Sequence, residues 1–257
     1  MIDTHCHLTF PEFDGRIGAV LRSAGERGVT GAITISTTTQ DCLRALQIAR
    51  EHDEIWCTAG VHPLHAHEEP HAWSNLAHVA ADPRCVAWGE LGLDRHYRTP
   101  PQEVQLRVLS EHLGFIESHD ERRLPIVLHC REAFDELIAI LRRARIDPMR
   151  FVFHCFTGTP ADVRKVLDFG AMVSFTGIVT YRNASEVQDA ARVVPLSRIM
   201  IETDAPYLSP DPHRGKWPCE PWMASVTARR VAELRGETWE EFEAAIDENC
   251  RKFFALA

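Results

Sequence analysis

Eight times along the chain a short, apolar, β-branched run is followed by a longer amphipathic stretch, and few folds accept that rhythm. The apolar runs cover residues 2–8, 31–37, 56–62, 85–93, 125–129, 151–156, 172–177 and 199–203. They are nearly continuous rather than alternating, as parallel strands buried on both faces require. Between the first two, Ile17, Val20, Leu21 and Ala24 fall at i, i+3, i+4 and i+7, one stripe of a helix. Residues 40–51, 102–118, 132–144, 162–169 and 185–193 read the same way, with Asp41 and Ser185 as expected N-caps. Gly28 and Gly170 stand where helices would stop. Two more helices, over 222–234 and 238–254, flank Gly236 near the end. Strand–helix alternation repeated eight times predicts a parallel sheet with crossover helices. A closed (β/α)8 TIM barrel takes about 250 residues, and this chain has 257. The rival is an open doubly wound sheet, but no Gly-rich phosphate loop follows the first run. No low-complexity stretch or linker divides the sequence, so one domain over 1–257 is expected.

Composition narrows the function. The eight cysteines include no C-x-x-C pair, which argues against a zinc ribbon or a thioredoxin-like redox site. Asp3, His5 and His7 interrupt the opening apolar run, so no signal peptide is expected. No stretch of about 18 apolar residues could span a membrane. Unpaired cysteines without a leader suggest the cytoplasm. A net charge of −9 disfavours non-specific nucleic-acid binding, which runs on Lys and Arg. It does not exclude a nucleic-acid enzyme, because two bound divalent cations would reverse the local field.

The informative residues are polar ones at the C-terminal ends of the predicted strands, the rim where barrel active sites lie. The first strand reads I-D-T-H-C-H-L, and strand alternation puts His5 and His7 on one face with Cys6 on the other. Glu90 sits inside the apolar run C-V-A-W-G-E-L-G-L-D, where an unpaired carboxylate would be costly. It meets either a basic partner or a cation, and its two oxygens could bridge two cations. Asp94, at the end of that run, reads as a helix cap or a loop-ordering group. His129 ends the fifth strand and His154 the sixth. A lone histidine in such a position is usually a satisfied core residue, but two at matching ends favour ligation. Glu202 and Asp204 alternate onto one face of the eighth strand. Asp204 is the candidate ligand and proton acceptor, and Glu202 the group that orients a histidine.

Together His5, His7, His129 and His154 supply four neutral nitrogens, and Glu90 and Asp204 two carboxylates. Such a mixed set suits Zn, Mn, Co, Ni or Fe better than Ca. Six ligands exceed the need of one tetrahedral ion, whereas two cations about 3.5–4 Å apart, bridged by Glu90 and a water, use them all. His62 ends the third strand at the same rim. His65 and His67 fall past Pro63 in a polar loop and read as solvated. His52, His71, His78, His112 and His119 fall on predicted helices and read as surface residues. Cys6, Cys130 and Cys155 should turn away from the site as small buried apolar groups.

In order along the chain, D-T-H-C-H-L, G-V-H-P, G-E-L-G-L-D, V-L-H-C-R-E-A, H-C-F-T-G and E-T-D-A-P-Y-L resemble the motifs of TatD-family metal-dependent deoxyribonucleases. P-H-R-G-K and the final E-N-C-R-K-F-F extend the resemblance over essentially the whole length. It implies a (β/α)8 hydrolase with two divalent cations, drawn from Mg, Mn, Zn, Co or Ni. His5, His7 and Asp204 would hold one, His129 and His154 the other, and Glu90 would bridge. The resemblance further implies that His62, Arg131 and the His213–Arg214 loop face substrate phosphate. Two positions depart from the family pattern. Trp217, Pro218 and Cys219 replace its usual arginine and asparagine before Glu220, which bears on the substrate. Thr9 stands where an acidic or amide residue is usual.

The expected reaction is hydrolysis of a DNA phosphodiester at single-stranded or frayed ends, with Asp204 taking the proton of the attacking water and Arg131 gripping phosphate oxygens. The same ligands could serve phosphotriesters, lactones, amides or the ester of a charged tRNA, and fold does not choose among them. A non-catalytic metal-binding scaffold is a third reading, which six filled ligand positions disfavour. Few aromatics mark the strand ends, so no platform for stacking bases is expected and a short terminal grip is favoured over a long groove. No membrane contact is expected, and a monomer is.

Overall fold

A computed structural model describes residues 1–256. Its strands are β1 (Ile2–Cys6), β2 (Gly31–Thr34), β3 (Ile55–Ala59), β4 (Cys85–Asp94), β5 (Ile126–Arg131), β6 (Phe151–Phe153), β7 (Met172–Phe175) and β8 (Ile199–Ile201). They form one eight-stranded sheet in sequence order, every neighbouring pair parallel. The sheet closes on itself where β8 meets β1. Asp204 N–H donates to His5 O at 2.9 Å, His7 N–H donates to Ala205 O at 2.7 Å, and Cys6 bridges Ala205. Buried Asp3 reinforces the seam by accepting from the N–H (2.9 Å) and hydroxyl (2.6 Å) of Thr203. The (β/α)8 barrel expected from the sequence is the observed architecture.

The helices are α1 (Ile17–Gly25), α2 (Asp41–Glu51), α3 (Trp73–Ala81), α4 (Gln102–His119), α5 (Phe134–Leu141), α6 (Pro160–Phe169), α7 (Ser185–Val193), α8 (Ala224–Arg235) and α9 (Trp239–Phe254). Local chemistry sets α6 clearly. Thr159 and Asp162 form a capping box, and Gly170 ends the helix in the left-handed region at φ 110°. Two expected caps are corrected. Asp41 is already helical, and its N–H is taken by the hydroxyl of Thr38 at 3.0 Å. The Asp41 carboxylate instead accepts from Thr37 N–H at 2.9 Å. Ser185 opens α7, whose N-cap Ala184 has no side-chain cap. Helix α3 carries His78, which was expected on a helix, though the sequence marks no bounds for it. It buries only the short stripe Leu76, Val79 and Ala80, too brief a period to stand out.

Two apolar layers hold the barrel. One lies between strands and helices. The other gathers Ile2, Ile33, Val86, Val127, Val152, Met172 and Met200 from around the barrel with Cys250 and Phe254 of α9. The last helix thus plugs the end opposite the rim of strand C-termini. Each fully buried Ile, Val, Leu or Phe contributes about 1.5–3 kcal/mol. Among the described residues no helix is long and apolar enough to cross a membrane.

Candidate metal centre

Six strands stop short of the expected ends because the chain leaves the ladder where it reaches the rim, whereas β4 and β5 run on to Asp94 and Arg131. His7, His62, His154 and Asp204 lie just past β1, β3, β6 and β8. Glu90 stays inside β4 and is 1% exposed. Its position depends on close backbone approach. At Gly92, φ is +147°, and a Cβ there would lie 1.9 Å from His129 O. At Gly60, a Cβ would lie 2.3 Å from the carbonyl carbon of Gly89. Only glycines let β4 sit this tightly between β3 and β5. Ser36 completes the joint, its hydroxyl accepting from Gly60 N–H at 3.0 Å and its carbonyl accepting from Glu90 N–H at 3.3 Å.

The two oxygens of Glu90 face different partners. Oε2 is 3.4 Å from His5 Nε2. Oε1 is 2.6 Å from His154 Nε2, 2.8 Å from His129 Nδ1 and 3.4 Å from His62 Nε2. On the Oε2 side, Asp204 Oδ1 lies 3.5 Å from His5 Nε2 and 3.3 Å from His7 Nε2, and those two nitrogens face one another at 3.3 Å. The rings of His5 and His154 stack at 3.8 Å between centroids.

What binds the far nitrogen of each ring decides which atom points inward. His7 Nδ1 donates to Ile35 O at 3.1 Å, His154 Nδ1 to Glu202 at 3.2 Å, and His129 Nε2 to Asp94 at 2.9 Å. In the neutral ring the inward nitrogen therefore carries a lone pair. His5 Nδ1 is buried without a hydrogen-bond partner among the described residues. His62 has the opposite polarity. Its Nδ1 accepts from Leu64 N–H at 3.1 Å, so its inward Nε2 carries the proton when neutral. Although His62 with Glu90 and His129 satisfies the distances of a metal group, its inward Nε2 is a donor that faces His129 Nδ1 at 3.1 Å rather than a lone pair.

Lone pairs of imidazoles facing carboxylate oxygens at 2.6–3.5 Å repel unless a positive charge lies between. The titration behaviour agrees. Burial pushes the Glu90 carboxyl up, but His154, His62 and the hydrogen bonds of His129 and His154 hold it well below the usual range. Burial depresses His154, yet Glu90 and Glu202 outweigh this and hold it well above its ordinary value. Burial likewise opposes the rise at His7 and His129, where hydrogen bonds to Asp204 and Asp94 win. Burial, with His129 and His65 adding to it, takes His62 down to about 4 against the pull of Glu90, so it is neutral at pH 7. The residues fit divalent cations, with the ligand atoms of His5–His7–Glu90 and of His5–His154–Asp204 each lying within 4.8 Å of one another.

The centre opens into a cavity of about 1150 Å³, lined among others by His62, Arg131, Cys155, Tyr97, Tyr207 and Phe10. Arg131 lies in its wall. Arg214 lies outside those walls, its guanidinium 4.0 Å over the ring of Tyr181. Several sequence expectations change here. Asp94 does order its loop, accepting from the N–H groups of His96 and Tyr97, but its other oxygen also orients His129. Strand parity with Glu90 was the signal for that role. Glu202 orients His154 as expected and also accepts from Cys155 N–H and Ser174 Oγ, both at 2.6 Å. Cys155 does not turn away. Its left-handed backbone, φ 45°, leaves it half-buried in the cavity wall. Burial, with Asp204 and Glu202 nearby, pushes its thiol well above the ordinary range. His112 is fully buried, not a surface residue, and His71 precedes α3 rather than lying on it. Exposed Tyr97 and Tyr207 line the cavity and Trp217 lies 5.6 Å from Tyr207, carried by loops rather than by the strand ends where few aromatics were expected.

Residues 2–255 match the family model described as TatD related DNase. An Escherichia coli K12 protein, "Uncharacterized metal-dependent hydrolase YcfH", is 37% identical over all of this chain and 96% of its own length. The "3'-5' ssDNA/RNA exonuclease TatD" of Erwinia tasmaniensis is 35% identical over the full length of both. Among solved structures, the TatD homologue YJJV of E. coli K12 superposes with a TM-score of 0.91 at 30% identity, covering all of this chain and 98% of that one.

Proposed function

Because this chain belongs to the TatD-related DNase family of metal-dependent hydrolases, we propose that it hydrolyses DNA phosphodiesters, working inward from single-stranded or frayed ends. The observation that carries this reading is Glu90 in the cavity wall, whose Oε2 faces His5 while its Oε1 faces His129 and His154. His5, His7 and Asp204 would hold one divalent cation, His129 and His154 the other, and Glu90 would bridge them. When bound, the pair would supply Lewis acidity toward a phosphate oxygen and acidify the attacking water.

The chain's own groups do the rest. Burial raises the Asp204 carboxyl, but His7, His5 and His154 hold it below its ordinary value, so it is ionised at neutral pH and able to accept the proton of the water. Neutral His62 offers Nε2–H to a non-bridging phosphate oxygen. Arg131 offers a guanidinium fork from the cavity wall. Arg214 would have to leave Tyr181 to join them, so phosphate binding is assigned to His62 and Arg131. The exonuclease named among the relatives supports a nucleic-acid substrate.

The test is hydrolysis of an end-labelled single-stranded oligonucleotide by wild type and Glu90→Gln, with added Mg or Mn and with chelator. Metal-dependent shortening by wild type alone is expected, and the ladder reads the end attacked. Chelator-resistant cleavage, or equal cleavage by both proteins, would overturn the assignment. No cleavage by metal-loaded wild type would overturn the nuclease reading and leave a hydrolase of another ester.

A further inference from the structure

Tyr97, Tyr207 and Trp217 are 50%, 45% and 56% exposed, and they are the exposed aromatics among the large apolar side chains at the described surface. Tyr97 and Tyr207 both line the metal-bearing cavity, and the ring of Trp217 is 5.6 Å from that of Tyr207. An apolar ring left in water at this one end of the barrel needs a reason that a scattered surface residue does not.

Their placement is tied to the metal centre. Each tyrosine follows a carboxylate of the centre by three residues. Tyr97 N–H donates to Asp94 Oδ1 at 3.0 Å, and Tyr207 N–H donates to Asp204 O at 3.0 Å. Asp94 in turn holds His129, and Asp204 faces His5 and His7. Tyr97 leaves β4 and Tyr207 leaves β8, strands on opposite sides of an eight-stranded barrel closed in sequence order. The β8 side continues inward, with Phe10 6.1 Å from Tyr207 and stacked 5.0 Å from the His7 ring. A row of rings thus runs from a candidate ligand out to Trp217. On the other side the Arg131 guanidinium lies 5.2 Å from the Tyr97 ring, next to where a phosphate would sit.

We propose, resting on the nuclease reading, that Tyr97 and the Tyr207–Trp217 pair are base-stacking platforms on either side of the scissile phosphate. They would receive unpaired bases of single-stranded DNA. Stacking on aromatic faces is sequence-tolerant because every base has a π-face, and it is closed to bases still stacked in a duplex. The site would therefore select single strands and ends without reading sequence.

The test separates stacking from hydrolysis. Metal-loaded enzyme is titrated with a fluorescent five-nucleotide thymidylate whose phosphorothioate linkages resist cleavage, and with the same backbone carrying abasic sites. Wild type is expected to bind the thymidylate at least about tenfold more tightly, the order that one stacked base contributes. Trp217→Ala and Tyr207→Ala should lose most of that preference and Trp217→Phe should keep it, while affinity for the abasic backbone stays constant across all three. Equal affinity of wild type for both oligonucleotides, or an undiminished preference in both alanine variants, would overturn the platforms even if unmodified DNA is cleaved. A base preference without cleavage of ordinary DNA would overturn the nuclease reading and support the platforms.

Discussion

His112 in the helical layer and His154 at the barrel mouth are 0% and 4% exposed, yet their surroundings drive them in opposite directions. On α4, His112 packs 5.3 Å from Trp73 and makes no hydrogen bond from either ring nitrogen among the described residues. Burial, with His71 adding to it, takes it down to about 3. At the mouth, Glu90 and Glu202 overcome the same burial and hold His154 high. Burial therefore does not mark a working histidine. Carboxylates converging on its inward nitrogen do, joined at His7, His129 and His154 by an acceptor on the other nitrogen.

The largest expected effect erases the contrast at its source. Glu90→Gln keeps the shape and removes the charge that both halves of the centre share. Turnover should fall by roughly 10³-fold or more, the scale of losing several kcal/mol of cation-supplied stabilisation. Metal content should fall with it. His112→Leu, measured in parallel, should leave both unchanged. Retention of stoichiometric metal and turnover by the glutamine variant would mean that the shared carboxylate is not what separates the two regions.

Removing the outer acceptors sharpens the comparison. Asp94→Asn and Glu202→Gln leave His129 and His154 in place but loosen their orientation and inward lone pairs. Metal affinity, read by competition with a chelating dye, should drop about 10–100-fold in each. An unchanged affinity in both would show that ring orientation is fixed by packing alone, as it is at His112.

Protons and metal compete for the same inward nitrogens. The carboxylates that raise His129 and His154 make those rings hold protons at higher pH than an ordinary imidazole. Metal affinity should therefore fall as pH falls, by about tenfold per pH unit for each proton that must leave. Affinity that is flat between pH 8 and 6 would contradict this.

The smallest effect belongs to His112. Its folded value, about 3, lies below the unfolded value of 6.5, so the unfolded chain binds the extra proton. Stability from this residue is complete above pH 6.5 and drains as pH falls toward 3. Between pH 7 and 5 the loss should be about 2 kcal/mol. In chelator-treated protein, denaturant unfolding of His112→Leu should show a shallower decline than wild type over that interval. Parallel curves would place His112 in contact with water or a partner.

The sequence carried the barrel almost entirely, because parallel strands buried on both faces leave continuous apolar runs, and the six rim positions break them conspicuously. What escaped was whatever depends on atoms rather than positions. Asp94 was read as a loop residue because its second oxygen cannot be seen in a linear string, although its parity with Glu90 hinted at it. The donor character of His62 depends on one backbone N–H, that of Leu64. His112 fell on a helix and read as surface, since a histidine on an amphipathic stripe looks polar until its neighbours are known. The aromatic rim was missed because its rings sit on loops, where periodicity carries no signal.

The seam between β1 and β8 also has a consequence for when this protein becomes active. His5 and His7 are synthesised about two hundred positions ahead of Asp204, which faces them, and of the backbone bonds that close the barrel. Contacts so distant in sequence form late. A ribosome-bound chain that has not yet released β8 would hold His5 and His7 on an open sheet edge. The carboxylate that faces His5 and His7 is thereby withheld until the segment after β8 is available.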